Sequence, residues 1–263
     1  MPCQVMVDEA VPLFVSAVGV PPPAVVERLH AAGTTVMSMV GAPKHATGCL
    51  ASGVDIICAQ GTEAGAHTGD VSTMVLLPQV VDICRDRALV VGAGGIYDGR
   101  GVAACLALGA HGVWIGTKFL ATPEANVSDT YKQALLAAQS TDTIRTEIFT
   151  GRPARMIKTP YVMGWERKAE EKQHLLAQGI IPRTHDGETG VAKGKNKSIP
   201  RGGTWRNAIG NQEPISEWSG VAVGQIAGAI DTIKPAQEIV HDIMGELSDT
   251  LRIMSGYRPR SRM

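Results

Sequence analysis

Between residues 13 and 117 the chain repeats short runs of consecutive apolar residues: "LFVSAV", "TTVMSMV", "VDIICAQ", "ALVVGA" and "GVWIGT". The runs are rich in Val and Ile and do not alternate with polar residues, the pattern of strands covered on both faces. Five parallel strands are expected. Between them, "PPAVVERLHAAG" reads as a helix stopped by Gly33, and "DGRGVAACLALGA" as a helix capped by Asp98 and stopped by Gly109. This β-α-β rhythm admits a (β/α)8 barrel or a doubly wound open sheet.

The rhythm changes after residue 127. Residues 128–177 read mainly as helix, interrupted by "FTGRPARMIKTP", a turn-rich connector with two prolines. Residues 182–214 have no period and are too long for an ordinary loop, so they read as a lid, an insertion or a partly disordered segment, with Lys193, Lys195, Lys197, Arg201 and Arg206 expected on a solvated surface loop rather than at an anion site. Ser219 is expected to cap a glycine-spaced helix. Over 236–254, Ile239, Val240, Ile243, Met244, Leu247 and Leu251 share one apolar stripe and are expected in the core. The expected organisation is therefore a barrel portion over 1–127 and a mainly helical region over 128–263 that packs on it.

Composition narrows the partners. Twenty-five basic and 25 acidic residues cancel, which gives no support to a nucleic-acid or anionic-membrane partner. No run reaches the roughly 18 apolar residues of a membrane span. Cys3, Cys49, Cys58, Cys84 and Cys105 form no C-x-x-C pair and mostly sit in apolar stretches, so reduced thiols in a cytoplasmic protein are expected. The partner is expected to be a small molecule. Oligomeric state is not legible.

Candidate chemistry falls at the strand ends. "VVGAGGIYDGRG" follows the fourth run, and Gly92, Gly94 and Gly95 leave backbone N–H groups bare beside the start of a helix. A charge-assisted hydrogen bond from such an amide is worth about 1.5–3 kcal/mol, against about 0.3–1 kcal/mol from the helix dipole, so the amides would dominate phosphate binding. A dinucleotide fingerprint would need glycine where Tyr97 stands, and no acidic residue closes a following strand, so that reading fails. What remains is two turns one β-α unit apart, Gly94-Gly95 and Gly116-Thr117, each at a strand end. Adjacent strand ends sharing a mononucleotide or flavin phosphate occur at the top of (β/α)8 barrels, which favours the barrel.

In the same ring of loops, "AQGTEAGAHTG" ends the third run. Gln60 can donate to and accept from a heterocycle edge, and His67 carries a group able to take up a proton near neutral pH. Glu63 and His67 do not make H-E-x-x-H and have no second histidine or cysteine at ligand spacing, so no metal is expected.

"AQGTEAGAHTG", "SGVDIICAQG", "GAGGIYDGRGVAACLALGAHGVWIGTKFLATPEA" and "TGRPAR" together resemble the nitronate monooxygenase family, FMN enzymes on a (β/α)8 barrel. The resemblance spans about residues 13–155 and continues more weakly in "GVAVGQIAGAIDTIKPAQEIV". It implies that Gln60 and Gly65 contact the flavin, that Gly95, Trp114, Ile115, Gly116 and Thr117 hold its phosphate, and that His67 is the catalytic base. The implied substrates are alkyl nitronates or nitroalkanes and O2, and the implied products a carbonyl compound and nitrite. Two departures stand out. Ala66 occupies a position where the family usually has glycine, a change of little cost if the backbone there is not left-handed. Five of eight barrel strands are visible, so an incomplete barrel lacking about three N-terminal strands is expected. Two further readings are an enzyme like the flavin-dependent enoyl-acyl-carrier-protein reductases and an inactive flavin-binding remnant.

Overall fold

A computed structural model describes residues 2–188, 204–206, 212–214 and 220–257. Along the chain the strands are β1 Leu13–Ser16, β2 Thr35–Val40, β3 Ile56–Gln60, β4 Ala66–His67, β5 Leu89–Ala93, β6 Gly112–Trp114, β7 Thr143–Thr146, β8 Ala154–Ile157, β9 Thr204–Arg206 and β10 Gln212–Pro214. The first helices are α1 Pro2–Asp8, α2 Pro23–Ala31, α3 Pro43–Ala51, α4 Thr73–Cys84, α5 Gly99–Ala107 and α6 Thr117–Leu120. They are followed by α7 Asp129–Ala137, α8 Pro160–Glu166, α9 Ala169–Ala177, α10 Pro182–Glu188 and α11 Ala236–Ser255. Two compact units result. The first comprises Met1–Thr62, Gly69–Ile115 and Gln237–Met263, and the second Glu63–Thr68 and Gly116–Ala236.

The first unit is an α/β layer whose five parallel strands run β1-β2-β3-β5-β6. Each new strand is added on the same side of the last, with no reversal of direction. A doubly wound sheet reverses at a switch point and a barrel does not, so the order is that of the (β/α)8 family. Among the described residues the sheet does not close. The expected burial on both faces holds for β2 and β3, whose central residues Met37, Ile57 and Cys58 are buried. It fails at the two edges, where Leu13 and Trp114 are 41% and 42% exposed, because each edge strand has a neighbour on one side only. Leu76, Leu77 and Val80 of α4 are fully buried. The α11 stripe is only half core: Ile239, Ile243 and Leu247 are buried, whereas Val240, Met244 and Leu251 are exposed. The row Ile239, Ile243, Leu247 faces inward, while the adjacent Val240 and Met244, and Leu251 at the far end of the same row, do not.

In the second unit "FTGRPARMIKTP" is more than a connector. Its residues 154–157 form β8, the centre of an antiparallel sheet of order β4-β8-β7, so the region beyond residue 127 is mixed rather than mainly helical. The run "ARMI" is apolar enough to be wholly buried, and β7 supplies its ladder partners. The stretch 182–214 contains the helix α10 and the antiparallel pair β9–β10. Lys193, Lys195, Lys197, Arg201 and Ser219 lie outside the described residues. In place of the expected glycine-spaced helix, residues 220–224 are irregular and Gln225–Ala229 form one 3-10 turn. No helix among the described residues is long and apolar enough to cross a membrane.

Candidate functional site

In the first unit the carboxyl ends of β3, β5 and β6 are level, because Gln60 pairs with Ala93 and Ala93 with Trp114. Gln60 is half-buried at the end of its strand, and Trp114 and Ile115 close β6. Just beyond β5, Gly94 and Gly95 have φ of 94° and 76°, the left-handed region that disfavours any Cβ. A Cβ at Gly94 would also stand 2.9 Å from the Gly61 carbonyl oxygen. The turn is pinned by Thr73, whose hydroxyl donates to the Gly94 carbonyl at 2.8 Å. Among the described residues the Gly94 and Gly95 amides donate no hydrogen bond.

The α5 N-terminus, by contrast, is already satisfied. Asp98 Oδ1 accepts from the Gly101 amide at 2.8 Å, as the sequence anticipates for a cap, and Glu246 Oε2 accepts from the Gly99 amide at 3.0 Å. A side chain on Gly99 would collide with the backbone of Leu247. Two carboxylates thus neutralise the positive end of α5, and an anion at this corner would be held by the Gly94–Gly95 turn instead. Gly92 does not belong with them. It lies inside β5, where a Cβ would meet Cys105 Sγ at 3.0 Å and Leu77 Cδ2 at 3.1 Å, so packing accounts for it.

In the second unit Gly116 is exposed, has a φ of −108°, and would place a Cβ with no atom within 4 Å. Neither backbone strain nor crowding by its neighbours demands glycine there. Thr117 is buried, and its Oγ1 accepts from the Gly224 amide at 2.9 Å. Gly65 has a packing cause: its Cβ would fall 2.7 Å from the Val223 carbonyl carbon. Ala66 has a φ of 57°. The condition for a harmless glycine-to-alanine change therefore fails, and the local backbone is strained.

His67 is held twice. Its backbone pairs with Ala154 through the β4–β8 ladder, and its Nε2 lies 2.9 Å from Thr150 Oγ1. On the neighbouring register position Arg145 and Arg155 face each other across β7 and β8. Arg145 Nη2 donates to the Thr68 carbonyl at 3.2 Å and Arg155 Nη1 to Thr143 Oγ1 at 3.0 Å. Burial, helped by the like charge of Arg145, pushes the Arg155 guanidinium pKa down, and Glu63 opposes this. Among the described residues no group of His, Cys, Asp or Glu is placed to hold a metal ion.

Sequence reasoning singled out Gly94, Gly95 and Gly116 but missed the side chains that fix the loops. Thr73, Glu246 and Thr150 give no local signal, since each acts on a partner remote in sequence; Thr150 and His67 are 83 residues apart. Membership in "TGRPAR" was the one available pointer to Thr150.

A family model described as nitronate monooxygenase matches residues 2–246. The chain belongs to the nitronate monooxygenase family. Rv1533 of Mycobacterium tuberculosis, named as a candidate monooxygenase, is 39% identical over 93% of this chain, which spans 61% of that protein's length. Among solved structures, FabK from Thermotoga maritima superposes with a TM-score of 0.79 at 31% identity, over 97% of this chain and 74% of its own. The nitroalkane oxidase of Streptomyces ansochromogenes superposes with a TM-score of 0.72 at 28% identity, over 96% of this chain and 68% of its own. Within the first unit, the Gly94 and Gly95 amides, which donate no hydrogen bond among the described residues, suit an anionic group.

Proposed function

We propose that the protein is an FMN-dependent oxidoreductase that converts alkyl nitronates, or the nitroalkanes from which they form, with O2 into a carbonyl compound and nitrite. The observation that carries the proposal is Gly116, a glycine required neither by its φ nor by its neighbours, at a position that the family resemblance assigns to the phosphate. Close approach of a ligand to the backbone is the remaining physical reason for glycine. The family resemblance implies phosphate-binding roles for Gly94, Gly95, Trp114, Ile115 and Thr117 as well, and flavin contacts for Gln60 and Gly65. FMN, when bound, supplies electron-acceptor chemistry that no side chain of the protein offers.

His67 does the proton work. A nitro group acidifies its α-carbon, and the imidazole takes that proton from a neutral nitroalkane; a nitronate arrives without it and needs only orientation. The β4–β8 ladder holds the His67 backbone while the proton moves.

The test is Gly116→Leu. It is expected to leave the melting temperature of the cofactor-free chain unchanged, because the space around Cβ is open, and to weaken FMN binding about 10- to 100-fold through loss of one or more charge-assisted bonds. Unaltered FMN affinity would remove Gly116 from the site. Likeness to FabK, an enoyl-reductase-like protein, favours a second reading in which an enoyl thioester is reduced at the flavin. Oxygen consumption with nitrite release from a nitronate supports the first reading. Oxidation of a nicotinamide cofactor in the presence of an enoyl thioester supports the second.

A further inference from the structure

The turn before β8 holds one hydroxyl with three neighbours. Thr150 Oγ1 lies 2.9 Å from His67 Nε2, 3.3 Å from the Arg152 amide nitrogen and 3.2 Å from the Arg152 carbonyl oxygen. A hydroxyl has one proton to donate and two lone pairs to accept with. The Arg152 N–H can only donate, and the Arg152 carbonyl can only accept. If the Thr150 proton went to His67 Nε2, two oxygens would face each other at 3.2 Å with no hydrogen between them. All three contacts are satisfied together in one arrangement: Thr150 donates to the Arg152 carbonyl and accepts from both the Arg152 amide and His67 Nε2–H.

That arrangement fixes the imidazole. A neutral ring with its proton on Nε2 has its lone pair on Nδ1, and the tautomer is set by the partner of the other nitrogen. Among the described residues His67 Nδ1 makes no hydrogen bond. We infer that Thr150 is the positioning residue of His67: it holds Nε2–H and leaves Nδ1 as the atom that receives the substrate proton. When Nδ1 takes the proton from the carbon acid, the C–H bond breaks, its electron pair stays on the nitronate, and the imidazolium keeps Nε2–H on the same Thr150 acceptor. No reorientation is needed. The inference rests on the proposed role of His67 as base.

The experiment is 15N NMR of the imidazole rings in the FMN-loaded full chain, with the His67 signals assigned by their loss in His67→Asn. Wild type and Thr150→Ser are expected to show a protonated Nε2 and a bare Nδ1. In Thr150→Val the two resonances are expected to move toward each other as the tautomers mix. Turnover of a neutral nitroalkane in Thr150→Val should fall on the order of tenfold in kcat with KM little changed, the Ser variant should restore it, and turnover of preformed nitronate should hold. A wild-type ring protonated on Nδ1, or a Val variant with unshifted resonances, overturns the positioning role. Unchanged nitroalkane turnover in His67→Asn overturns the base role instead, and the tautomer readout tells the two failures apart.

Discussion

In the first unit the sheet's apolar cluster is local: Met37, Cys58 and Ala93 pack against Val15, Met39, Ile56 and Val91, all from strands that follow one another in the sheet. The second unit also has an apolar centre, formed by Ile148, Tyr161, Val162, Trp165 and Leu175, but buried polar groups run through it. Asp186 accepts from Tyr161 at 2.9 Å and from Trp165 at 2.7 Å, while Glu166 accepts from Thr146 and from Lys172, both at 2.7 Å. Tyr131 donates to the Ala222 carbonyl 91 residues away. A unit made of β-α repeats finds its neighbours through consecutive apolar runs and backbone ladders. A unit gathered from remote segments uses directional side-chain bonds to specify which segment meets which, because burial alone is not directional.

The sharpest way to break this comparison is Asp186→Ala, which removes a shared acceptor from two donors in the interior of the second unit. Removing a buried donor's partner costs about 1–3 kcal/mol, so a loss of about 4 kcal/mol is expected, read as a fall in melting temperature by calorimetry. Asp186→Asn keeps an acceptor oxygen and should lose about half as much. A loss under about 1 kcal/mol would mean that the polar network decorates the second unit without specifying it.

Alkaline pH should separate the units next. Burial pushes the Cys58 thiol up to about 12 and the Cys105 thiol up to about 11. Both are raised above the unfolded value of about 8.5, so their stabilising contribution is complete below that pH and is lost as pH climbs toward about 11–12. The loss is about 1.4 kcal/mol per pH unit for each thiol. In the second unit burial pushes the Tyr131 phenol up to about 12 and raises Tyr161 as well. A phenol's ordinary value is about 10, so the second unit should begin to weaken roughly one pH unit later. The check is hydrogen exchange of the two sheets from pH 8 to 10.5, with Cys58→Ala and Cys105→Ala together reducing the response of the first and the buried Cys49 and Cys84 thiols, also pushed up by burial, supplying the remainder.

The same contrast explains what could be read from the sequence. The five parallel strands, their sequential order, the Asp98 cap and the Gly94–Gly95 turn all write themselves in contiguous residues. The strand β8 was hidden because "ARMI" is short and follows a proline, and its partner strands lie on either side of it at unequal distances in the chain. The apolar row of α11 was legible as a row, but which part of it is buried depends on a partner remote in sequence, the start of α5, where the Gly99 amide donates to Glu246, 147 residues away. His67 was legible as chemistry. Its orientation was not, because Thr150 reaches it only after β4 and β8 have paired.

The smallest effect bears on one residue that belongs to neither pattern. Ala66 holds a left-handed φ of 57° in a two-residue strand, where it pairs with Arg155 of β8 and the following His67 pairs with Ala154. For an L-residue with a Cβ this conformation costs roughly 1–2 kcal/mol, and glycine removes that cost while adding freedom to the unfolded chain. Ala66→Gly is therefore expected to stabilise the protein by about 0.5–1 kcal/mol, a rise of roughly 2–3 °C in melting temperature. The substitution also frees the residue immediately before His67. If rigidity at this point matters for catalysis, the more stable variant should turn over neutral nitroalkane more slowly while its use of preformed nitronate is unchanged. A variant that gains stability with no such difference would mean that the β4–β8 ladder and Thr150 hold His67 without help from the strained backbone, and a variant that loses stability would mean that the ladder, not Ala66, dictates the left-handed turn.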